Sequence, residues 1–150
     1  IMQIFIGGIG CFWDETEYEG VPGIISTECG YCGGKNSTTT YEQVCGGGTE
    51  HIEVVKVIFD PKIISYENIT KLFFEIHNPT TLDRQGPNVG QQYRSEIFYT
   101  TEKERIIAKK VLDEVNKKLS GKVVTVIRKE KNYCKAEEYH QKYFKKRNKR

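Results

Sequence analysis

Several things are scarce in this 150-residue sequence, and each scarcity excludes something. No apolar run approaches the roughly 18 to 20 residues that a membrane-crossing helix needs. Ile1–Ile9 lacks the charged start and long apolar stretch of a signal peptide. Internal repeats and low-complexity linkers are missing too, and one domain over residues 1–150 is the expectation. Charge of one sign is not in large excess. The net +3 reflects Lys142, Lys145, Lys146, Arg147, Lys149 and Arg150 crowding the end, which is expected to be a frayed basic tail over 145–150. Neither nucleic acid nor a membrane is an expected partner, and a monomer is. Cysteine is too sparse for a disulfide scaffold, and five cannot all pair within one chain, so at least one should be a free thiol in a reducing, cytoplasmic setting.

The chain that remains reads as alternating strands and helices. Met2–Ile6, Ile24–Tyr31, His51–Phe59, Arg94–Tyr99 and Val123–Ile127 have strand character, with a polar loop between the second and third. Cys11–Glu19 reads as a short helix ended by Gly20 and Pro22. Ser65 caps a helix over Tyr66–His77 with Ile69, Leu72, Phe73 and Ile76 at helical spacing. Thr101 and Glu104 suggest a capping box for a helix to about Leu119, and a last helix is expected over Ala136–Phe144. Asn78–Gln92 is long enough for a loop to have a job. This order predicts the α+β class: a two-layer sandwich with a mixed sheet of split βαβ (ferredoxin-like) type, extra helices and long loops.

Cys11 follows Gly7-Gly8-Ile9-Gly10 at a predicted helix start, where free N–H groups favour an anion. A thiol there is a nucleophile candidate with a lowered pKa; the alternative is a small buried hydrophobe under a tight turn. The glycines lack both a following Lys-Ser/Thr and the G-x-G-x-x-G spacing, which argues against a phosphate loop. Phe12 and Trp13 either line an apolar pocket for a small methylated group or belong to the core. Glu53 shares a strand face with Val55, Val57 and Phe59, which suits a desolvated general acid; alternatively it is solvated near the strand end.

Gly10-Cys11-Phe12-Trp13, Gly30-Tyr31-Cys32-Gly33-Gly34, Thr40 through Cys45, His51-Ile52-Glu53-Val54-Val55, Arg84 through Ser95, and Ala136 through Gln141 occur in that order. Together they resemble the A-type peptide methionine sulfoxide reductases from about Ile4 to Phe144. The resemblance implies an oxidoreductase that repairs oxidised methionine, part of an oxidative stress response. Cys11 would attack the sulfur of a methionine S-sulfoxide, free or in oxidised proteins, leaving methionine and a cysteine sulfenic acid. Glu53 would protonate the departing oxygen, Tyr41 and Tyr93 would hydrogen-bond it, and Phe12 and Trp13 would receive the methyl group. Thioredoxin, glutaredoxin or a small thiol would recharge the enzyme, with no metal and no organic cofactor.

Three departures from the family pattern matter. Many members carry a resolving cysteine in a Gly-rich tail, whereas Lys145–Arg150 has none. If Met2–Ile6 and Ile24–Tyr31 are parallel, Cys32 ends near Cys11 and ranks first as resolver, then Cys134, then Cys29, with no resolver as the remaining option; Cys45 is expected to be structural. Asn88 stands where Asp is usual, and Asp83 where Asn is commoner. Two other classes remain as alternatives: a zinc module using Cys29 and Cys32, and a Cys–His acyl-transfer enzyme with His51, His77 or His140 as base.

Overall fold

The computed structural model describes residues 2–8, 17–46, 48–85 and 88–136. Predicted features on Cys11, Phe12, Trp13, most of the first helix, the 136–144 helix and the basic tail therefore lie outside the described residues. The strands are β1 (Gln3–Gly8), β2 (Ile24–Cys32), β3 (Ile52–Phe59), β4 (Arg84–Gln85), β5 (Asn88–Val89), β6 (Glu96–Tyr99), β7 (Val126–Lys129) and β8 (Cys134–Lys135). Among the described residues the complete helices are α1 (Tyr41–Cys45), α2 (Tyr66–Glu75) and α3 (Glu102–Lys118), with a 3-10 turn at Gln91–Tyr93.

Six strands form one mixed sheet in the order β7-β6-β1-β3-β2-β8. Both β1 and β2 pair antiparallel with β3, so they run parallel to each other with β3 inserted between them. β6 and β7 pair in parallel. The fold is α+β, as the sequence predicts. The central strand β3 buries both faces: Val55, Val57 and Phe59 join one cluster, Ile52 and Val54 the other. Helices α2 and α3 both pack on the first face, through Tyr66, Ile69, Phe73, Phe74, Ala108 and Val111, which makes two layers. The second face is closed by Ile4, Tyr133 and the Arg128 side chain, whose guanidinium carbon lies 5.2 Å from the centre of the Phe98 ring.

Several local expectations shift. The fully buried stripe of α2 runs through Tyr66, Ile69, Thr70, Phe73 and Phe74, where β1 presents Phe5 to Tyr66 and Phe73 with ring centroids 5.5 and 5.6 Å away, while Leu72 and Ile76 pack partly buried against the same cluster. Thr101 Oγ1 caps α3 by accepting from Glu104 N–H at 3.2 Å. The return arm of the expected box misses its target by one residue, since the Glu104 carboxylate accepts from Thr100 N–H at 2.9 Å. The last described long strand is Val126–Lys129 rather than Val123–Ile127, set by parallel pairing of Glu96 with Val126. Within the predicted polar loop, Thr40 and Gln43 form a full capping box that starts α1. The short edge strand β8 has no periodic signal and exists through its pairing with β2.

Candidate functional site

The end of β3 where β1 and β2 terminate gathers the polar groups of interest. Glu53 is 0% exposed, which removes the solvated alternative. Its side chain lies on the helix-bearing face with Val55 and Val57, as period-two alternation requires. Directly opposite on β2 stands Tyr31, also fully buried, and opposite Tyr31 on β8 stands Cys134. Paired residues share a face, so Glu53, Tyr31 and Cys134 form one transverse row. The sequence reading did not single out Tyr31 or this row, because neither periodicity nor motif spacing reveals which strand lies beside which.

Tyr41 opens α1 and packs, half-buried, against the same cluster. Its position follows from the Thr40–Gln43 box: Gln43 N–H donates to Thr40 Oγ1 at 3.2 Å and Thr40 N–H donates to Gln43 Oε1 at 3.0 Å. Tyr93 ends the 3-10 turn, which packs against β3. That turn is anchored by an ion pair of 3.1 Å between Arg94 Nε and Asp83 Oδ1, and by Gly90 N–H donating 2.8 Å to Asp83 O. Asp83 is thus committed to Arg94. Asn88 begins β5 of the small hairpin, pairing with Gln85.

The cysteines separate by face. Cys29 is 0% exposed in the helix-side core. Cys32 is 0% exposed in the opposite cluster, with Ile6, Ile52 and Val54. β1 and β2 do end at the same edge, but alternation turns the Cys32 side chain away from Glu53. Burial pushes its thiol up to about 12, and Sγ donates to Lys131 O at 3.5 Å, so at neutral pH it is a protonated thiol. Cys32, ranked first from the sequence as a resolving thiol, therefore lies on the face opposite Glu53 and is held as the protonated thiol. Cys134 is only half-buried, and its Sγ lies 3.8 Å from Thr39 O, two residues before Tyr41. Cys45 ends α1.

Of the histidines that could serve an acyl-transfer enzyme, His51 and His77 are otherwise engaged, and His140 lies outside the described residues. His51 Nδ1 accepts from Gly34 N–H at 3.2 Å while Nε2–H donates to Asn36 O at 2.7 Å, and burial lowers its pKa. His77 uses both nitrogens within the fold, 2.5 Å from Phe73 O and 2.7 Å from Ser95 Oγ. Among the described residues no group of three or more His, Cys, Asp or Glu could hold a metal ion, and Cys29 and Cys32 face opposite sides of the sheet. None of the helices of the described residues is long and apolar enough to cross a membrane.

Residues 2–150 match the family model described as "Peptide methionine sulfoxide reductase". The chain is 57% identical over 147 residues to the peptide methionine sulfoxide reductase MsrA of Pelagibacter ubique, covering 97% of this chain and 100% of that protein. Among solved structures it is similar to Mxr1 from Saccharomyces cerevisiae in reduced form, with a TM-score of 0.91, 36% identity and coverage of 99% of this chain and 87% of that one. It is also similar to Mxr1 in complex with Trx2, with a TM-score of 0.66, 25% identity and coverage of 95% and 84%.

Proposed function

This chain belongs to the peptide methionine sulfoxide reductase family, and from that premise we propose that it reduces methionine S-sulfoxide, free or in proteins, to methionine at the expense of thiols. The observation that carries the reading at the level of residues is Glu53: a carboxyl group, fully buried on an apolar face, at the strand end that adjoins the exit of β1. Gly8, the last residue of β1, pairs with Val54, next to Glu53. Cys11 follows Gly8 by three residues, a span that covalent geometry limits to about 10 Å.

In this proposal the Cys11 thiolate attacks the sulfoxide sulfur while the S–O bond breaks. Glu53 supplies the proton to the departing oxygen, a role suited to a carboxyl group buried at this strand end. Tyr41 and Tyr93 donate hydrogen bonds to the oxygen as negative charge develops on it. The protonated oxygen then passes to the Cys11 sulfur as the bond between Cys11 and the substrate sulfur breaks, its electron pair staying on the substrate sulfur, which leaves methionine and Cys11 sulfenic acid. Phe12 and Trp13 receive the substrate methyl group, and the fit of that group selects the S epimer. Thiols then return the sulfenic acid to the thiol; the complex of Mxr1 with Trx2 supports a thioredoxin-type dithiol as reductant here. The acting unit is a single domain and a monomer.

The test is an assay of the reduced protein with methionine S-sulfoxide, methionine R-sulfoxide and a dithiol. Turnover of the S form alone, abolished by Cys11→Ser, is expected. Full activity in Cys11→Ser, or equal rates on both epimers, would sink the assignment of the nucleophile or of the pocket respectively.

A further inference from the structure

The geometry points to Cys134 as the thiol that resolves the Cys11 sulfenic acid, by forming an intramolecular disulfide across the row that holds Glu53 and Tyr31. This inference rests on the reductase reading above and adds to it the route by which the enzyme is recharged.

The sheet register sets the direction. Gly8, Val54, Gly30 and Lys135 lie on one transverse row through β1, β3, β2 and β8. Because β2 runs parallel to β1 and β8 runs antiparallel to both, the next row toward the exit of β1 contains Glu53, Tyr31 and Cys134. Cys134 is therefore displaced from Lys135 toward the edge where the chain leaves β1 for Cys11. Its side chain shares the helix-side face with Glu53, as does Ala136 two residues on, which is buried in the core with Cys29 and Tyr31.

Distance permits the bond. Three strand spacings separate β1 from β8, about 14 Å in all. Cys11 lies three residues past Gly8, a leash of about 10 Å, and a disulfide spans up to about 7 Å between α-carbons. Leash and bond together exceed the gap, so the covalent chain permits the linkage. Access also favours Cys134: it is half-buried, while Cys29 and Cys32 are fully buried, and Cys32 faces the other layer. Its neighbour Thr39 leads into α1, so the thiol borders the turn that carries Tyr41.

The step balances. Cys11–S–OH and HS–Cys134 give the Cys11–Cys134 disulfide and water, the sulfenic sulfur being reduced and the Cys134 thiol oxidised. An external dithiol of thioredoxin type then reduces the disulfide to two thiols and is itself oxidised to a disulfide.

The experiment treats the reduced full chain with one equivalent of methionine S-sulfoxide and no reductant, alkylates free thiols, and maps peptides without reduction. A Cys11–Cys134 linkage with two thiols consumed per methionine is expected. Cys134→Ser should cut thioredoxin-supported turnover at least tenfold and leave a Cys11 adduct with dimedone, whereas Cys32→Ser should keep its turnover and give no adduct. Methionine formed with Cys134 still alkylated, whether Cys11 is trapped as sulfenic acid or linked elsewhere, overturns the resolver and spares the reductase reading. If the wild-type protein forms no methionine, the reductase reading fails and the resolver with it.

Discussion

Acid should destabilise this protein through His77, and the structure gives the size of the effect. His77 follows α2 and lies against Phe73, with ring centroids 4.4 Å apart. Nδ1 faces the Phe73 carbonyl at 2.5 Å and must carry the proton, which leaves Nε2 to accept from the Ser95 hydroxyl at 2.7 Å. Ser95 is fully buried, and its oxygen lies 2.7 Å from Thr125 Oγ1. Protonating Nε2 would turn both hydroxyls round and place a full charge among Phe73, Phe74 and the sheet. Burial accordingly lowers the His77 pKa from 6.5 to about 4, against the opposing pull of the Phe73 carbonyl. Between those two values the unfolded chain binds the extra proton and the folded one does not, so stability rises with pH across the window. The contribution is complete above pH 6.5 and is lost as pH falls toward 4. With an unfolded pKa of about 6.5, the loss is about 2 kcal/mol between pH 7 and pH 5 and about 3 kcal/mol by pH 4. Urea unfolding of wild type and His77→Gln at pH 7, 6, 5 and 4 isolates this share from that of the carboxylates and of His51. Wild type should lose about 2 kcal/mol more than the variant from pH 7 to pH 5. Should the variant fold poorly, an NMR titration of the wild-type imidazole gives the same answer. An imidazole titrating near 6.5, or parallel pH profiles for the two proteins, would refute the account.

Other consequences are as specific. Glu53→Gln removes the proposed acid and should lower the rate of sulfoxide reduction about 10²- to 10⁴-fold while circular dichroism stays that of wild type; a rate within threefold of wild type would remove Glu53 from the chemistry. Glu96 is 1% exposed, with its pKa raised by burial, and Arg128 Nη2 holds its Oε2 at 3.2 Å. Arg128→Met should therefore cost about 3 kcal/mol in a denaturant melt, the low end for a broken buried pair because the Arg128 side chain is 40% exposed. A Cβ added at Gly30 would lie 2.6 Å from the Tyr133 ring and 2.7 Å from the Cys134 carbonyl oxygen. Gly30→Ala should loosen β8 and speed alkylation of Cys134, and unchanged alkylation would contradict that packing. Thr101→Ala should cost about 1 kcal/mol of thermal stability through loss of the α3 cap.

The sequence by itself determined a good deal. Strand and helix types followed from side-chain periodicity along β1, β2, β3, α2 and α3, since alternation and helical spacing are local properties. The family was legible because its motifs are contiguous runs of residues whose chemistry is local: a thiol after glycines, aromatics beside it, a carboxyl group among β-branched neighbours. Period-two alternation along β2 also puts residues three apart on opposite faces, and Cys29 and Cys32 lie in opposite clusters.

Only the tertiary structure decided what depends on which strands are neighbours. Parallel ends of β1 and β2 brought the segment of Cys32 to the right edge, yet the pleat turned its thiol to the opposite layer, where burial keeps it protonated. Strand β8 pairs through backbone hydrogen bonds with β2 and has no periodic signature, so the row of Glu53, Tyr31 and Cys134 could not be read from spacing. Those residues lie 22 and 103 positions apart in the chain, counted between Tyr31 and Glu53 and between Tyr31 and Cys134. They meet because hydrogen-bonded strands sit about 5 Å apart whatever their separation in sequence.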